Sequence, residues 1–423
     1  MKNTNYKKLN RGITLVALVV TIVVLLILAG VSINLVLGEN GLITQAKEAR
    51  EKTKQAEKNE TEEISNASDF ITQAVVNLPR TDETKPYAPS SEFSVVEGTN
   101  LANGLVIEDS DGNQYVWVEV PMTTTVYPTT GLNVIEFNTE TYTKIEYDLH
   151  QYTMSYRKGK SDTETTYKDE YAEDTTDGWF KNAEEYNEQK YKMLKSVYQN
   201  GGFWVGRYEA GIEENRTETS EESNLIPKTK EGLYPYNYVT RTQSKKLAEK
   251  VKYNEYSGSL LFGIQWDLIL KHIENKMKLV DNTIETKLKI NSTSIGNYRD
   301  SIYTLNRGKY DICSEWKIKN EWKLKNVVSE KYVDKDSKKE AQDSNGNGIL
   351  ITTGATDSTK IMNIYDLAGN VWEWTLEYAN DSMPCVYRGG CCYGTGSYDD
   401  VTRREKYDTN HKNFTWGFRI ALY

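Results

Sequence analysis

Hydrophobic and polar positions divide the chain into three stretches of different character. Residues 13–37 are almost uninterruptedly apolar, beginning ITLVALVV, and as a helix they are long enough to cross about 30 Å of hydrocarbon. Residues 38–80 turn charged and rich in Ala, Lys, Glu and Gln, with a weak apolar stripe at Ile43, Ala46, Ala49 and Ala56, which predicts an exposed helical stalk. Residues 81–104 carry prolines and no apolar period, and read as a linker. From 105 onward short apolar runs alternate with turn signals. NGLVIEDSDGNQYVWVEVP, starting at Asn103, predicts a hairpin around its D-G-N turn. NGGFWVGRYEAG at 200–211 predicts a strand, and SLLFGIQWDLILKHIENKM at 259–277 has apolar residues at helical spacing. WGFRIALY closes the chain at 416–423 as a last strand. The fold class expected is α+β: a long N-terminal membrane and stalk helix followed by a mixed head.

Composition narrows the function. The net charge of −9 lacks the basic balance of a general nucleic-acid binder, so no nucleic-acid partner is expected. Tyrosine is abundant, 30 residues against 8 phenylalanines, as on binding surfaces and in tyrosine-rich sheets alike. The four cysteines, Cys313, Cys385, Cys391 and Cys392, form no CxxC pair, which argues against a zinc ribbon or thioredoxin-type site. A disulfide from Cys313 or Cys385 to a later cysteine and four free thiols both remain open. Of the three histidines, His150, His272 and His411, His272 falls within the expected helix and reads as a face residue. No G-x-S-x-G, P-loop or H-E-x-x-H motif is present.

Two resemblances organise these elements. Residues 1–12 carry Lys2, Lys7, Lys8 and Arg11 and no acid, and end in Arg-Gly before the apolar run. This resembles the leader of type IV prepilins. The resemblance implies cleavage by a prepilin peptidase after Gly12 and methylation of Ile13. It also implies a single-pass cell-membrane protein with an extracellular C-terminal domain, pilus-associated or beside other pilin-like subunits. The positive flank independently places the leader on the cytoplasmic side. Ala17 stands where that family usually has glutamate, which fits a minor pilin, pseudopilin or plain anchored protein better than a major filament subunit.

Farther on, VWV at 116–118, FWVGRYE at 203–209, QWD at 265–267, GNVWEW at 369–374, RGG at 388–390 and GFR at 417–419 occur in one order. They resemble the formylglycine-generating enzyme (sulfatase-modifying factor) family, with its C-type-lectin-like fold, over residues 105–423. Two segments interrupt the likeness: 134–198, acidic and tyrosine-rich, and 308–345, rich in lysine. Both are expected to be surface insertions, whose opposite charges either pair with each other or, as the favoured reading, are each a solvated face.

DLAGNVWEWT at 366–375 brings two hard carboxylates to a turn, the oxygen chemistry calcium prefers. The resemblance implies a structural calcium held by Asp366, the carbonyls of Gly369 and Val371, and Glu373. DSNGNG at 343–348 copies half an EF-hand loop, but Gly354 stands where the closing glutamate is needed, and a polar turn is expected. The family's enzymes hold copper with two cysteines, whose places here are Gly394 and Asp399. Neither supplies the soft thiolate copper(I) needs, so no copper and no catalysis are expected. The segment 391–415 is polar and tyrosine-rich between two framework blocks, like a paratope. It is similar in placement to the variable region of retroelement-diversified lectin-fold proteins. Candidate ligand-binding residues are Tyr393, Ser397, Tyr398, Asp399, Asp400, Tyr407, Asp408, Asn410, His411 and Asn413. The expected function is display of an adhesin- or receptor-type head for a protein or glycan ligand. An enzyme of that family and a structural minor pilin or pseudopilin are the alternatives.

Overall fold

A computed structural model describes residues 84–423 apart from 158–166, 174–177, 304, 306, 315–316 and 325–347. They belong to the unit Thr72–Tyr423. Gly12, Ile13, the apolar run, the stalk and most of the D-S-N-G-N-G turn lie outside the described residues. Among the described residues no helix is long and apolar enough to cross a membrane.

The architecture is mixed helix and sheet. A seven-stranded sheet runs β1 (Ser94–Val95), β2 (Val106–Glu108), β3 (Gln114–Glu119), β4 (Gly202–Gly206), β17 (Ala421–Leu422), β8 (Tyr256–Ser259), β7 (Lys252–Tyr253). A short ribbon pairs β5 (Gly211–Ile212) with β6 (Tyr234–Pro235). In a third sheet β9 (Lys309–Ser314) pairs with β10 (Lys317–Ile318), β11 (Lys323–Leu324) and β12 (Gly348–Ile351). The fourth has the order β15 (Arg404–Tyr407), β14 (Cys385–Arg388), β13 (Trp372–Trp374), β16 (Trp416–Gly417).

The predicted hairpin is β2–β3. Its turn is fixed by Asp109, whose carboxylate accepts from the N–H groups of Asp111 (3.0 Å) and Asn113 (2.7 Å). β3 and β4 place Trp117 opposite Trp204, with ring centroids 5.0 Å apart. The last strand of the chain pairs with β4 and β8, so the C-terminus closes the main sheet.

Residues 84–104 are not a linker. Tyr87 is buried, its carbonyl accepts from Trp204 Nε1 (2.7 Å), and Thr84 accepts from Trp117 Nε1 (2.7 Å). The segment has the prolines and irregular backbone expected of it, but it caps the core of the sheet.

The described residues of 134–198 are not a solvated loop either. It supplies α1 (Thr139–Tyr152), α2 (Met154–Arg157) and most of α3 (Ala183–Asn200). Asn138 and Asn182 cap α1 and α3 by accepting from Thr141 N (3.0 Å) and Glu185 N (2.9 Å). Ile145, Leu149, Met193, Leu194 and Val197 are fully buried, at about 1.5–3 kcal/mol each. After α4 (Arg241–Ala248), the predicted helix appears as α5 (Gly263–Met277), starting four residues later than the apolar pattern because Ser259 ends β8. Asp169, from the same inserted segment, accepts from the first N–H groups of α5, Gly263 (2.7 Å) and Ile264 (2.9 Å). Burial alone would raise Asp169, but His150, Arg157 and those donors outweigh it and hold the carboxyl at about 2. The second insertion contributes β9, β10 and β11 before the described residues stop at 324.

Candidate functional site

The β15-β14-β13-β16 sheet has two chemically distinct faces, set by strand alternation. Trp374 lies opposite Tyr387, Trp372 opposite Trp416, and Cys385 opposite Tyr407. These residues form an aromatic face. Tyr387 packs edge-on against Trp372 (4.9 Å), Trp374 (5.4 Å) and Trp416 (5.4 Å). His411, from the loop before β16, stacks on Tyr407 at 3.5 Å and meets Trp416 edge-on at 4.3 Å. The indole N–H of Trp416 and Nε2 of His411 are buried without a hydrogen-bond partner. Burial lowers the affinity of His411 for a proton, against the nearby Asp408.

The opposite face is ionic. Arg388 and Arg404, paired across β14 and β15, converge on Asp267 of α5 and on Glu377. Arg388 donates to Asp267 Oδ1 at 2.9 Å, and Arg404 Nε to Glu377 Oε1 at 2.9 Å. Arg404 also donates to both the second Asp267 oxygen and the carbonyl of Arg157 (2.7 Å). All four side chains are at most 5% exposed, so this cluster is part of the core rather than a solvent-facing site.

Of the calcium residues, Glu373 lies on this ionic side, in register with Arg388. Glu373 receives Arg419 in fork geometry, with Nε at 3.0 and 3.1 Å and Nη2 at 2.6 Å. Asp366 accepts from Gly354 N (2.8 Å) and Thr359 Oγ1 (2.7 Å). Gly369, at φ +78°, is required for close packing: a Cβ there would stand 2.2 Å from the carbonyl of Asn297. Val371 gives its N–H to Glu209 (3.2 Å). Among the described residues no group of three or more His, Cys, Asp or Glu is placed to hold a metal. The donor set does not fit calcium, because a guanidinium already takes both oxygens of Glu373. Calcium at Asp366, Gly369, Val371 and Glu373 would require Arg419 to leave Glu373.

Sequence reasoning missed the third carboxylate here. Glu209 accepts from Asn370 Nδ2 (2.6 Å), and burial together with Asp366 and Glu373 keeps its carboxyl well above the usual range. Its signal was an acid within the apolar run FWVGRYEAG.

The segment 391–415 divides in the fold. Tyr398 (63% exposed) and Tyr407 (37%) are on the surface, with Ser397, Asp408 and Asn410. His411 and Asn413 are half-buried, and Asn413 is a turn residue accepting from Thr415 N (2.7 Å). Tyr393, Asp399 and Asp400 are buried, contrary to their expected place on the binding face. The backbone turns inward at both points: Asp400 accepts from Thr402 N (3.0 Å), and Arg299 N donates to the carbonyl of Gly394 (3.1 Å). Gly396 is held by Asp300 (3.0 Å), and its carbonyl accepts from Ser292 N (2.8 Å), so the 292–300 segment is the platform for this loop. Arg403, which the sequence did not single out, lies over the Tyr398 ring at 4.7 Å and pairs with Glu405.

Gly394 and Asp399, where the resemblance to formylglycine-generating enzymes would put copper cysteines, are neighbours in space: a Cβ on Gly394 would meet Asp399 Oδ2 at 2.1 Å. Burial pushes Asp399 up to about 7, with Arg403 and Arg299 opposing and Glu405 and Asp400 adding to it. A carboxylate raised in the folded state holds its proton where the unfolded chain has lost it. Its contribution to stability is therefore full below about pH 4 and declines as pH rises to about 7. Asp399→Asn is expected to flatten the pH dependence of the urea midpoint between those values and to gain relative to wild type at pH 8. An unchanged slope would mean that the carboxylate is already ionised and solvated at neutral pH.

No protein-family model matches this chain, and no curated protein does. Among solved structures, CarF superposes with a TM-score of 0.32 and 12% identity, covering 52% of this chain and 85% of CarF. Treponema denticola variable protein 1 superposes with a TM-score of 0.27 and 14% identity, covering 52% of this chain and 84% of that protein. Neither similarity bears on the chemistry of the site.

Proposed function

We propose that the chain is a membrane-anchored, non-catalytic binding protein. In this reading a pilin-like anchor displays a lectin-like head outside the cell, and the surface part of 391–415 takes a protein or glycan ligand. The observation that carries the reading is the pair of exposed tyrosines, Tyr398 and Tyr407, mounted on a loop and strand whose undersides are buried. Rigid amphipathic rings on a fixed platform give contact area at small entropic loss. Arg403 beside Tyr398, and His411 beside Tyr407, add a cation and a titratable ring to the two anchors. The family's oxidase chemistry would need a thiolate pair where Gly394 and Asp399 stand.

The test is a screen of glycan and protein arrays with the unit Thr72–Tyr423, followed by Tyr398→Ala and Tyr407→Ala on any ligand found. Each substitution is expected to weaken binding about 10–30-fold, the loss typical of an interface anchor. Tyr398→Ala is expected to shift stability by no more than about 0.5 kcal/mol, since most of its ring is already in water. Ligand binding that ignores both substitutions would move the site off this face. Thiol-bound copper(I) with turnover of a sulfatase-type peptide would replace the binding reading with an enzyme.

A further inference from the structure

The sheet built by the second insertion meets the start of the 391–415 segment through two sulfur atoms. Cys313 is on β9, in register with Gly348 of β12 and Ile318 of β10. Cys392 follows β14 and is fixed by its N–H, which donates to the carbonyl of Asn370 at 2.9 Å. The two Sγ atoms are 3.7 Å apart, fully buried, and separated by 79 residues of sequence. Gly348 makes this approach possible. A Cβ there would stand 2.3 Å from the carbonyl of Cys392 and 2.8 Å from Cys313 Sγ. We propose that Cys313 and Cys392 form a disulfide that ties the insertion sheet to the base of the tyrosine-bearing loop. The sulfurs must close by about 1.7 Å to reach a bond of about 2.05 Å.

The oxidant required is a low-molecular-weight disulfide, as in an oxidising compartment. One cysteine thiolate attacks a sulfur of that donor, expelling a thiolate and leaving a mixed disulfide. The second cysteine thiolate attacks the protein sulfur of the mixed disulfide, forms the Sγ–Sγ bond and expels the second thiolate. Two electrons pass to the donor, which leaves as two thiols carrying the two protons. Burial, reinforced by Cys313, holds the Cys392 thiol protonated in the closed structure, so the exchange accompanies folding rather than following it.

The test uses the full-length chain in detergent, unfolded and refolded in a glutathione buffer poised oxidising, then alkylated and mapped by mass spectrometry. The expected result is one linked pair, Cys313 to Cys392, with Cys385 and Cys391 alkylated. Fragmentation between the adjacent cysteines, and retention of the link in Cys391→Ser but not in Cys392→Ser, assign the bond. The linked form is expected to melt about 5 °C above its reduced counterpart, since the bond closes a long loop. Four alkylated cysteines after refolding, or a link through Cys385 or Cys391, would overturn the proposal. The decisive map is read on the unaltered chain, so a variant that fails to fold does not blur it.

Discussion

Asp267→Ala is expected to destabilise the folded head by about 3–5 kcal/mol, measured as the loss of unfolding free energy in urea. Among the described residues, Asp267 is the only carboxylate that accepts a hydrogen bond from both Arg388 and Arg404. Its removal leaves two guanidinium groups sharing, among the described residues, one carboxylate, Glu377, in a place where none of the side chains exceeds 5% exposure. Arg388 is already held below the ordinary arginine range by burial and by Arg404, so it has no spare stabilisation from solvent. Glu377 cannot move to compensate, because α5 begins directly over it: a Cβ on Gly263 would stand 1.9 Å from Glu377 Oε1. The large figure is the consequence of leaving a charge buried and unpaired, and not the net worth of the cluster. Replacing all four residues together with apolar side chains of similar volume is expected to change stability far less. A loss below about 1 kcal/mol for Asp267→Ala would show that water reaches the arginines and that the cluster is not a core element.

How much of this was legible in the sequence depends on the range of the interaction. Local signals succeeded. The D-G-N turn gave the β2–β3 hairpin, and the apolar period of 259–277 gave α5. Signals hidden by composition failed. In 134–198 the buried Ile145, Leu149, Met193, Leu194 and Val197 are separated by acids, lysines and tyrosines, so a segment that packs its helices on the core reads as a solvated loop. In 84–104 the absence of a period was real, but irregular backbone can still bury a ring such as Tyr87. Long-range electrostatics were invisible. Asp267 and Arg404 are 137 residues apart, and Glu373 and Arg419 are 46 apart. A glutamate beside a glycine turn looks the same whether its partner is a divalent ion or a distant guanidinium. The 391–415 segment was recognisable as polar and tyrosine-rich, but its inward turns, which bury Tyr393, Asp399 and Asp400, depend on the 292–300 platform.

Arg419→Met should give the second large effect, with a pH dependence that identifies its cause. One guanidinium serves three buried carboxyls, Glu209, Asp366 and Glu373, while also donating to the carbonyls of Gly206 (3.0 Å) and Tyr365 (2.9 Å). Burial pushes Glu373 up to about 7 even with Arg419 against it, and raises Asp366 and Glu209 as well. These groups bind protons in the folded state that the unfolded chain has released above its ordinary value of 4.5 for glutamate. Stability from this cluster is therefore greatest below about pH 4.5 and falls as pH rises through about 7. Methionine keeps the apolar stem but withdraws the cation, moving every carboxyl further up. The variant is expected to lose about 3–5 kcal/mol at pH 8 and distinctly less at pH 5, where Glu373 holds its proton in the fold. Urea midpoints at the two pH values, compared with wild type, decide it. An equal loss at both would assign the role of Arg419 to its two carbonyl contacts and its packing. A loss larger at pH 5 than at pH 8 would mean that Glu373 stays ionised in the fold, and that the pair with Arg419 outweighs burial.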